Sequence, residues 1–381
     1  MAETSLVERL IAFDTTSRGS NLALIDFAEE LLTKSGARCR RTYDPSRTKA
    51  NLFATIGPGE TGGYVLSGHT DVVPVDGQDW SSDPFAPEIR DNKLYGRGSA
   101  DMKGFVGTAL ALAPDIARAK LKRPIHFAFS YDEEVACAGV GSLLDDLKAN
   151  GIRPVLALIG EPTEMKIVGA HKGGAVIHTD CRGLEGHSSA PDKGANAVMM
   201  AGEFVAYLER ASAALKDDKD PRFDPPYTTV QANMIAGGTA VNVLARDARV
   251  TWECRNLPDR DAPSVVAAAA QRHAEETILP KYRKHFDGAK METTVRASYP
   301  GLALDPDSPA IALARELSGA NRVETVAYGT EAGLFQRAGI PAVICGPGSI
   351  DQAHKADEFV ALSQLAMCEA FLRKLIARAC V

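Results

Sequence analysis

Two hydrophobic rhythms alternate along the opening half of the chain. Leu6 to Phe13 and Leu22 to Thr33 repeat their apolar positions at helical spacing. The runs "NLFATIG", "GYVLSG", "PIHFAFS" and "VLALIG" are short and strand-like, and runs apolar nearly throughout, such as "VLALIG", fit strands covered on both faces. Helical patterns lie between several of them, as in "KGFVGTALALAPDIARA" and "CAGVGSLLDDLKANG". Strands alternating with helices predict a three-layer α/β domain.

The rhythm changes near residue 174. "GAVIHTDCRG" alternates apolar and polar, the mark of a half-exposed antiparallel strand. A long helical pattern follows, "NAVMMAGEFVAYLERASAAL", then the polar, Pro-rich loop "KDDKDPRFDPPY". Two further strands, "TTVQANMIAGG" and "RDARVTWECRN", precede the helical pattern "SVVAAAAQRHAEETILPKYRKH". After about residue 292 the α/β texture returns, with "IPAVICGPGS" and the closing helix "ALSQLAMCEAFLRKLIARA". The pattern predicts an α/β domain with a mixed sheet, residues 1–173 and 292–381, interrupted by an inserted α+β domain, residues 174–291. A length of 381 residues suits two hydrophobic cores.

Composition narrows the function classes. A net charge of −6 argues against a nucleic-acid partner, which favours a basic face. No apolar run approaches the roughly 20 residues that span a bilayer. The acidic, amphipathic start "MAETSLVERLIAFDTTS" lacks the pattern of a signal peptide. The 7 scattered cysteines read as reduced thiols in a cytoplasm, and Cys137, Cys181 and Cys254 as small buried hydrophobes.

The chemistry gathers where strands end, the edge at which open α/β sheets place their ligands. "YVLSG" runs into His69-Thr70-Asp71, "IHFAFSY" into Asp132-Glu133-Glu134, "LALIG" into Glu161, and "PAVICGPGSIDQA" into His354. Asp101 lies in the glycine-rich "GRGSADMKG", which opens a helix. Imidazole and carboxylate donors without thiolate suit a catalytic zinc or cobalt site. In extended backbone His69 and Asp71 face the same way, so the Asp71 carboxylate is placed to take the second ring N–H of His69. Each piece alone has a plain alternative: a surface polar pair, a solvated first helical turn, an ordinary turn acid. Asp132 reads as a solvated turn acid.

The stretch "GHTDVVPVDGQDWSSDPFAPEIRDNKLYGRGSADMKG" resembles the catalytic core of the dinuclear-zinc deacylases and carboxypeptidases, and "DEE", "GEPT", "AHKGG", "GHSSAPDKGANA" and "GPGSIDQAHKADEF" extend the resemblance over nearly the whole chain. Within that family "GPGSIDQAHKADEF", "YGTEAG" and the chain length are most similar to the acetylornithine deacetylase branch. The resemblance implies two zinc ions, with cobalt able to substitute. Asp101 would bridge them, ahead of a cis peptide bond. His69 and Glu161 would hold one, and Glu134 and His354 the other. Glu133 would serve as general base and acid, with Asp71 supporting His69. The inserted domain would be a ferredoxin-like dimerisation and lid domain. Its His187 would reach into the neighbouring subunit's site to stabilise an oxyanion, and Asn242 and Arg255 would grip the substrate carboxylate. The implied reaction is hydrolysis of N-acetyl-L-ornithine to ornithine and acetate, in cytoplasmic arginine biosynthesis, by a homodimer with no nucleic-acid or membrane partner. For Arg255 a strand-end salt bridge is the plain alternative.

His126, His178, His273 and His285 read as structural, and His171 of "AHKGG" has no assigned role. A same-family alternative is a succinyl-diaminopimelate desuccinylase or a carboxypeptidase. A metal-dead scaffold would lack a ligand or the base, whereas all are present. No G-x-S-x-G nucleophile elbow occurs, and Lys103 precedes Gly104, which breaks the P-loop order.

Overall fold

The structure is a computed structural model and describes residues 2–260 and 262–381. They divide into two compact units. One runs up to Ala170 and takes in Leu302–Thr325 and Thr330–Val381; the other is His171–Gly301 with Val326–Gly329.

The first unit is built on an eight-stranded mixed sheet. Its strands are β1 (Arg38–Tyr43), β2 (Ala50–Ile56), β3 (Tyr64–His69), β6 (Ile125–Ser130), β7 (Leu156–Pro162), β8 (Val168–His171), β13 (Glu324–Val326) and β14 (Ala342–Gly346), in the order β1-β2-β6-β3-β7-β14-β8-β13. A small sheet joins β4 (Glu88–Arg90), β5 (Lys93–Tyr95) and β15 (Phe359–Ala361). The four central strands β6, β3, β7 and β14 are mutually parallel. Their carboxyl ends therefore share one edge.

β3, β6 and β7 are buried at every position, as strands covered on both faces must be. Leu66, Phe127, Leu158 and Val343 join one core with residues of α2 (Leu22–Lys34), α3 (Lys103–Ala111), α4 (Ala113–Arg118), α9 (Pro309–Ser318) and α11 (Leu362–Ala379). Residues one step along, Val65, Ala128, Ile159 and Ile344, face the other way and are equally buried. α5 (Val140–Ala149) packs on β1 and β2, and α10 (Ala332–Arg337) on β14. The result is the three-layer α/β arrangement the pattern predicts. α1 (Ala2–Ile11) packs on α3, which begins two residues after Asp101.

The second unit is α+β. β9 (Gly174–Arg182), β10 (Thr229–Gly237), β11 (Asp247–Arg255) and β12 (Lys290–Tyr299) form an antiparallel sheet in the order β10-β11-β9-β12. With α6 (Ala197–Ala214) after β9 and α7 (Pro263–His273) after β11, this is the ferredoxin-like order. Phe204 of α6 meets Trp252 of β11 edge-on, with ring centroids 6.2 Å apart. The Trp252 indole N–H donates to Thr179 at 3.0 Å, so the largest core side chain of this unit buries no unpaired polar atom. The helix after β11 is less regular than its periodicity predicts. α7 gives way to a π-helical turn, Ala274–Ile278, before α8 (Leu279–Arg283).

The second junction differs from the sequence reading. Residues 292–301 do not open the return to the α/β unit. Residues 292–299 continue β12, and after Gly301 the chain re-enters the first unit at Leu302. The burial of β12 alternates along its length, and only Met291 is fully buried. That is the pattern of a sheet with one exposed face, not of a doubly covered parallel strand.

Candidate metal centre

The site is assembled at the shared carboxyl edge of β6, β3, β7 and β14. His69 ends β3, Glu161 lies near the end of β7, Glu133 and Glu134 follow β6, and His354 follows β14. Asp101 reaches the same place from the loop before α3. Its peptide bond to Met102 is cis, as the resemblance implies.

His69 Nε2 lies 3.0 Å from Asp101 Oδ1 and 3.9 Å from Glu161 Oε1. His354 Nε2 lies 3.0 Å from Glu134 Oε2 and 3.5 Å from Asp101 Oδ2. Asp101 thus touches both imidazoles, one with each carboxylate oxygen. Two groups bring one donor atom each within 4.8 Å of the others: His69, Glu133 and Glu161, and His69, Asp101 and Glu134. The His354 side chain is 54% exposed, so the cluster opens on that side.

Charge crowding dominates the electrostatics. Burial, and then the charge of Asp101, pushes Glu134 up to about 7. Glu133 is raised well above the usual carboxylate range, by burial first and by Glu134 and Glu331 next. Glu161 is raised well above it too, by burial and then by Asp101 and Glu133. Asp101 is held low despite burial, because His354 and His69 both bond to it. Burial works against a charged His69, but its hydrogen bond to Asp101 and the charge of Glu161 raise it well above the ordinary histidine range. His354 is pushed up to about 10, first by its hydrogen bond to Asp101 and then by the one to Glu134.

So many buried acids in mutual contact are costly without positive charge. Histidine and carboxylate donors in this number fit divalent zinc or cobalt. The Cys137 thiol lies beside Glu133. It donates to Glu133 Oε1 at 3.2 Å, and burial followed by the Glu133 charge pushes it well above the ordinary thiol range.

Asp71 departs from its predicted contact. The Nδ1 of His69 is bonded at 2.9 Å to the Asp71 backbone carbonyl, while the carboxylate stands 3.7 Å away. The carboxylate instead accepts from the amides of Glu133 and Glu134, at 3.1 and 3.3 Å, and from the Ser17 hydroxyl at 2.8 Å. The backbone carbonyl already fixes the histidine tautomer, which frees the side chain to cap the turn after β6. Asp132 is not a solvated turn acid either. Both its oxygens accept from Lys49 Nζ, at 2.6 and 2.8 Å, and its side chain is only 17% exposed.

The sequence reading missed Glu331. It immediately precedes α10, is buried, and accepts from Ser67 at 3.4 Å. Burial pushes it up to about 7, and its charge is felt by Glu133. Its only signal was its place inside "YGTEAG".

The remaining predicted residues belong to the second unit. His187 and Asn242 are exposed and neighbours there: the Ser188 amide donates to Asn242 O at 3.1 Å, and His187 pairs with Val243. Ser189 Oγ lies 2.7 Å from His187 Nδ1. Arg255 donates to the Tyr299 hydroxyl at 2.5 Å and lies 3.4 Å from Glu253.

Residues 65–378 match the profile of peptidase family M20/M25/M40. The chain is 36% identical to an acetylornithine deacetylase of Myxococcus xanthus over 377 residues, 97% of this chain and 96% of that one. It is 34% identical to an acetylornithine deacetylase of Proteus mirabilis, over 97% of this chain and 93% of that one. Among solved structures it is similar to a tripeptidase of Staphylococcus aureus, with a TM-score of 0.76 at 19% identity, covering 99% of this chain and 98% of that one. At this identity the structural likeness concerns the fold.

Proposed function

The chain belongs to peptidase family M20/M25/M40, and from that premise we propose that it hydrolyses the amide bond of N-acyl amino acids, N-acetyl-L-ornithine foremost, releasing ornithine and acetate. The observation that carries the reading is the contrast between two adjacent acids. Glu134 is within 3.0 Å of His354, whereas the Glu133 carboxylate accepts from the Cys137 thiol and sits among carboxylates that raise its proton affinity.

In this reading His69 and Glu161 would hold one divalent cation and Glu134 and His354 a second, with Asp101 available to either. Zinc, or cobalt in its place, supplies a water of lowered pKa and polarises the acyl carbonyl. Glu133 takes a proton from the attacking water and returns it to the leaving amine nitrogen. Asp71 holds the Glu133–Glu134 turn by its amides. His187 donates to the developing oxyanion. Arg255 and Asn242 grip the substrate carboxylate, a task for which the planar guanidinium is suited.

His187 acts from the partner subunit of a homodimer joined through the second unit. Support for that pairing comes from β10, an edge strand that exposes Met234 at 68% and Ile235 at 55%. Among the described residues no helix is long and apolar enough to cross a membrane. The proposed setting is cytoplasmic arginine biosynthesis.

The test is a hydrolysis panel on metal-stripped protein with zinc or cobalt restored. The panel holds N-acetyl-L-ornithine, other N-acetyl amino acids, succinyl-diaminopimelate and acylated glutamates. The reading requires metal-dependent turnover with N-acetyl-L-ornithine fastest. Faster cleavage of another member would reassign the substrate, and no turnover under any condition would overturn the activity.

A further inference from the structure

Glu358 lies outside the cluster, immediately before β15, and is only 1% exposed. Its carboxylate is fully used. Oε2 accepts from Arg97 Nη1 at 2.7 Å and from the Gly98 amide at 3.0 Å. Oε1 accepts from the amides of Ala100 at 2.9 Å and Asp101 at 3.0 Å. A carboxylate offers about four acceptor sites, and all are taken. Its backbone carbonyl adds a fifth bond, from the Gly96 amide at 3.0 Å. One side chain therefore holds the whole approach to Asp101.

The same network reaches the His354 loop. Arg97, also only 1% exposed, donates through Nη1 to the Lys355 carbonyl at 3.2 Å and through Nη2 to Gln78 Oε1 at 2.5 Å. Gln78 Nε2 in turn donates to the His354 carbonyl at 2.8 Å. His354 needs that support, since its φ of 64° is a left-handed value that a non-glycine residue rarely adopts. The loop side is equally constrained: at Gly98, φ is +81° and a Cβ would lie 2.7 Å from Val72.

We propose that Glu358 is a positioning residue for the metal centre. Through its bonds to the 98–101 amides and to Arg97, it sets the spacing between Asp101 and His354. This rests on the proposed function above, but concerns a residue that touches neither metal nor substrate. Charge and shape both matter. A glutamine could not accept on its amide side, and would leave the buried Arg97 guanidinium without its anion.

The test measures zinc binding by competition with a chromophoric chelator on wild-type protein, E358Q and Q78A, with thermal unfolding of each metal-free protein alongside. Wild type takes up two zinc ions. E358Q keeps one and binds the other about tenfold or more weakly, the loss typical of outer partners of metal ligands. Q78A, which removes the link to the His354 carbonyl together with the acceptor of Arg97 Nη2 and Trp80 Nε1 but leaves the Glu358 carboxylate in place, weakens the same ion by a smaller factor. Should E358Q fail to fold, Q78A decides alone. Wild-type affinity for both ions in the folded variants would overturn the positioning role and leave the proposed function standing. Equal loss of both ions together with a lower melting temperature would reduce Glu358 to general support of the fold. Wild-type protein that binds no zinc would overturn the proposed function itself.

Discussion

The Asp71 carboxylate accepts from the Glu133 amide at 3.1 Å, while the His69 ring bonds the Asp71 backbone carbonyl at 2.9 Å and lies 3.7 Å from the carboxylate. This geometry separates two outcomes for Asp71→Ala. His69 keeps its backbone partner, so zinc content should stay at the wild-type level. The turn carrying the base loses its anchor, so kcat should fall about 10–100-fold, the usual cost of losing a supporting contact. Zinc analysis beside steady-state kinetics checks it. Loss of zinc would restore Asp71 to the role of imidazole support.

Gly160 tests how tightly the strand end before Glu161 is packed. A Cβ there would lie 1.9 Å from Phe105 Cγ, and Phe105 is a core residue of α3. Gly160→Ala must therefore displace either β7 or α3, the two elements next to Glu161 and Asp101. The expected cost is about 1–3 kcal/mol, as for other overpacked cores. Urea unfolding measures it, and weaker zinc binding should accompany it.

His126 makes a prediction remote from the site. It is buried, its Nε2–H donates to the Gly62 carbonyl at 2.8 Å, and its Nδ1 accepts from the Thr55 hydroxyl at 2.9 Å. Burial pushes it down to about 4. The unfolded chain, with its ordinary histidine, binds the proton more readily. The contribution of the neutral ring is thus complete above about pH 6.5 and is lost as pH falls through that value towards 4. Between pH 7 and pH 5, wild-type protein should lose more stability in urea than His126→Gln. Parallel curves would contradict this.

His187 carries the prediction about assembly. His187→Ala should retain its zinc and lose about 10²–10³-fold in kcat, the scale of one oxyanion donor. If the histidine serves the partner's site, mixed dimers of His187→Ala and Glu133→Gln contain one site with both groups intact. Activity should then return on subunit exchange, although neither variant has it alone. No recovery in a proven mixed dimer would place His187 in its own subunit's site or outside the chemistry.

The three-layer α/β arrangement and the convergence of acids at one sheet edge were readable because runs apolar throughout mark strands covered on both faces, and open α/β sheets gather their ligands at the carboxyl ends of such strands. What escaped was contact over long sequence separation. Asp132 pairs with Lys49, and Glu358 binds the 98–101 loop; no periodicity links those positions. Glu331 escaped because one acid before a short helix reads as a dipole-favoured first turn. Asp71 was assigned by strand geometry, which gave its direction but not the competing backbone carbonyl. The late return at Leu302 was hidden by the low apolar content of β12, a strand with little core to announce it.

The central claim is that the "DEE" segment divides its labour, with Glu134 a ligand and Glu133 a proton carrier. Zinc content and turnover of Glu133→Gln, measured on one preparation beside wild type, test it most directly. The account predicts two bound zinc ions and a loss of about 10²–10⁴-fold in kcat, the range of a general acid–base group. A Glu133→Gln protein that turns over like wild type, or one stripped of its metal, would contradict it.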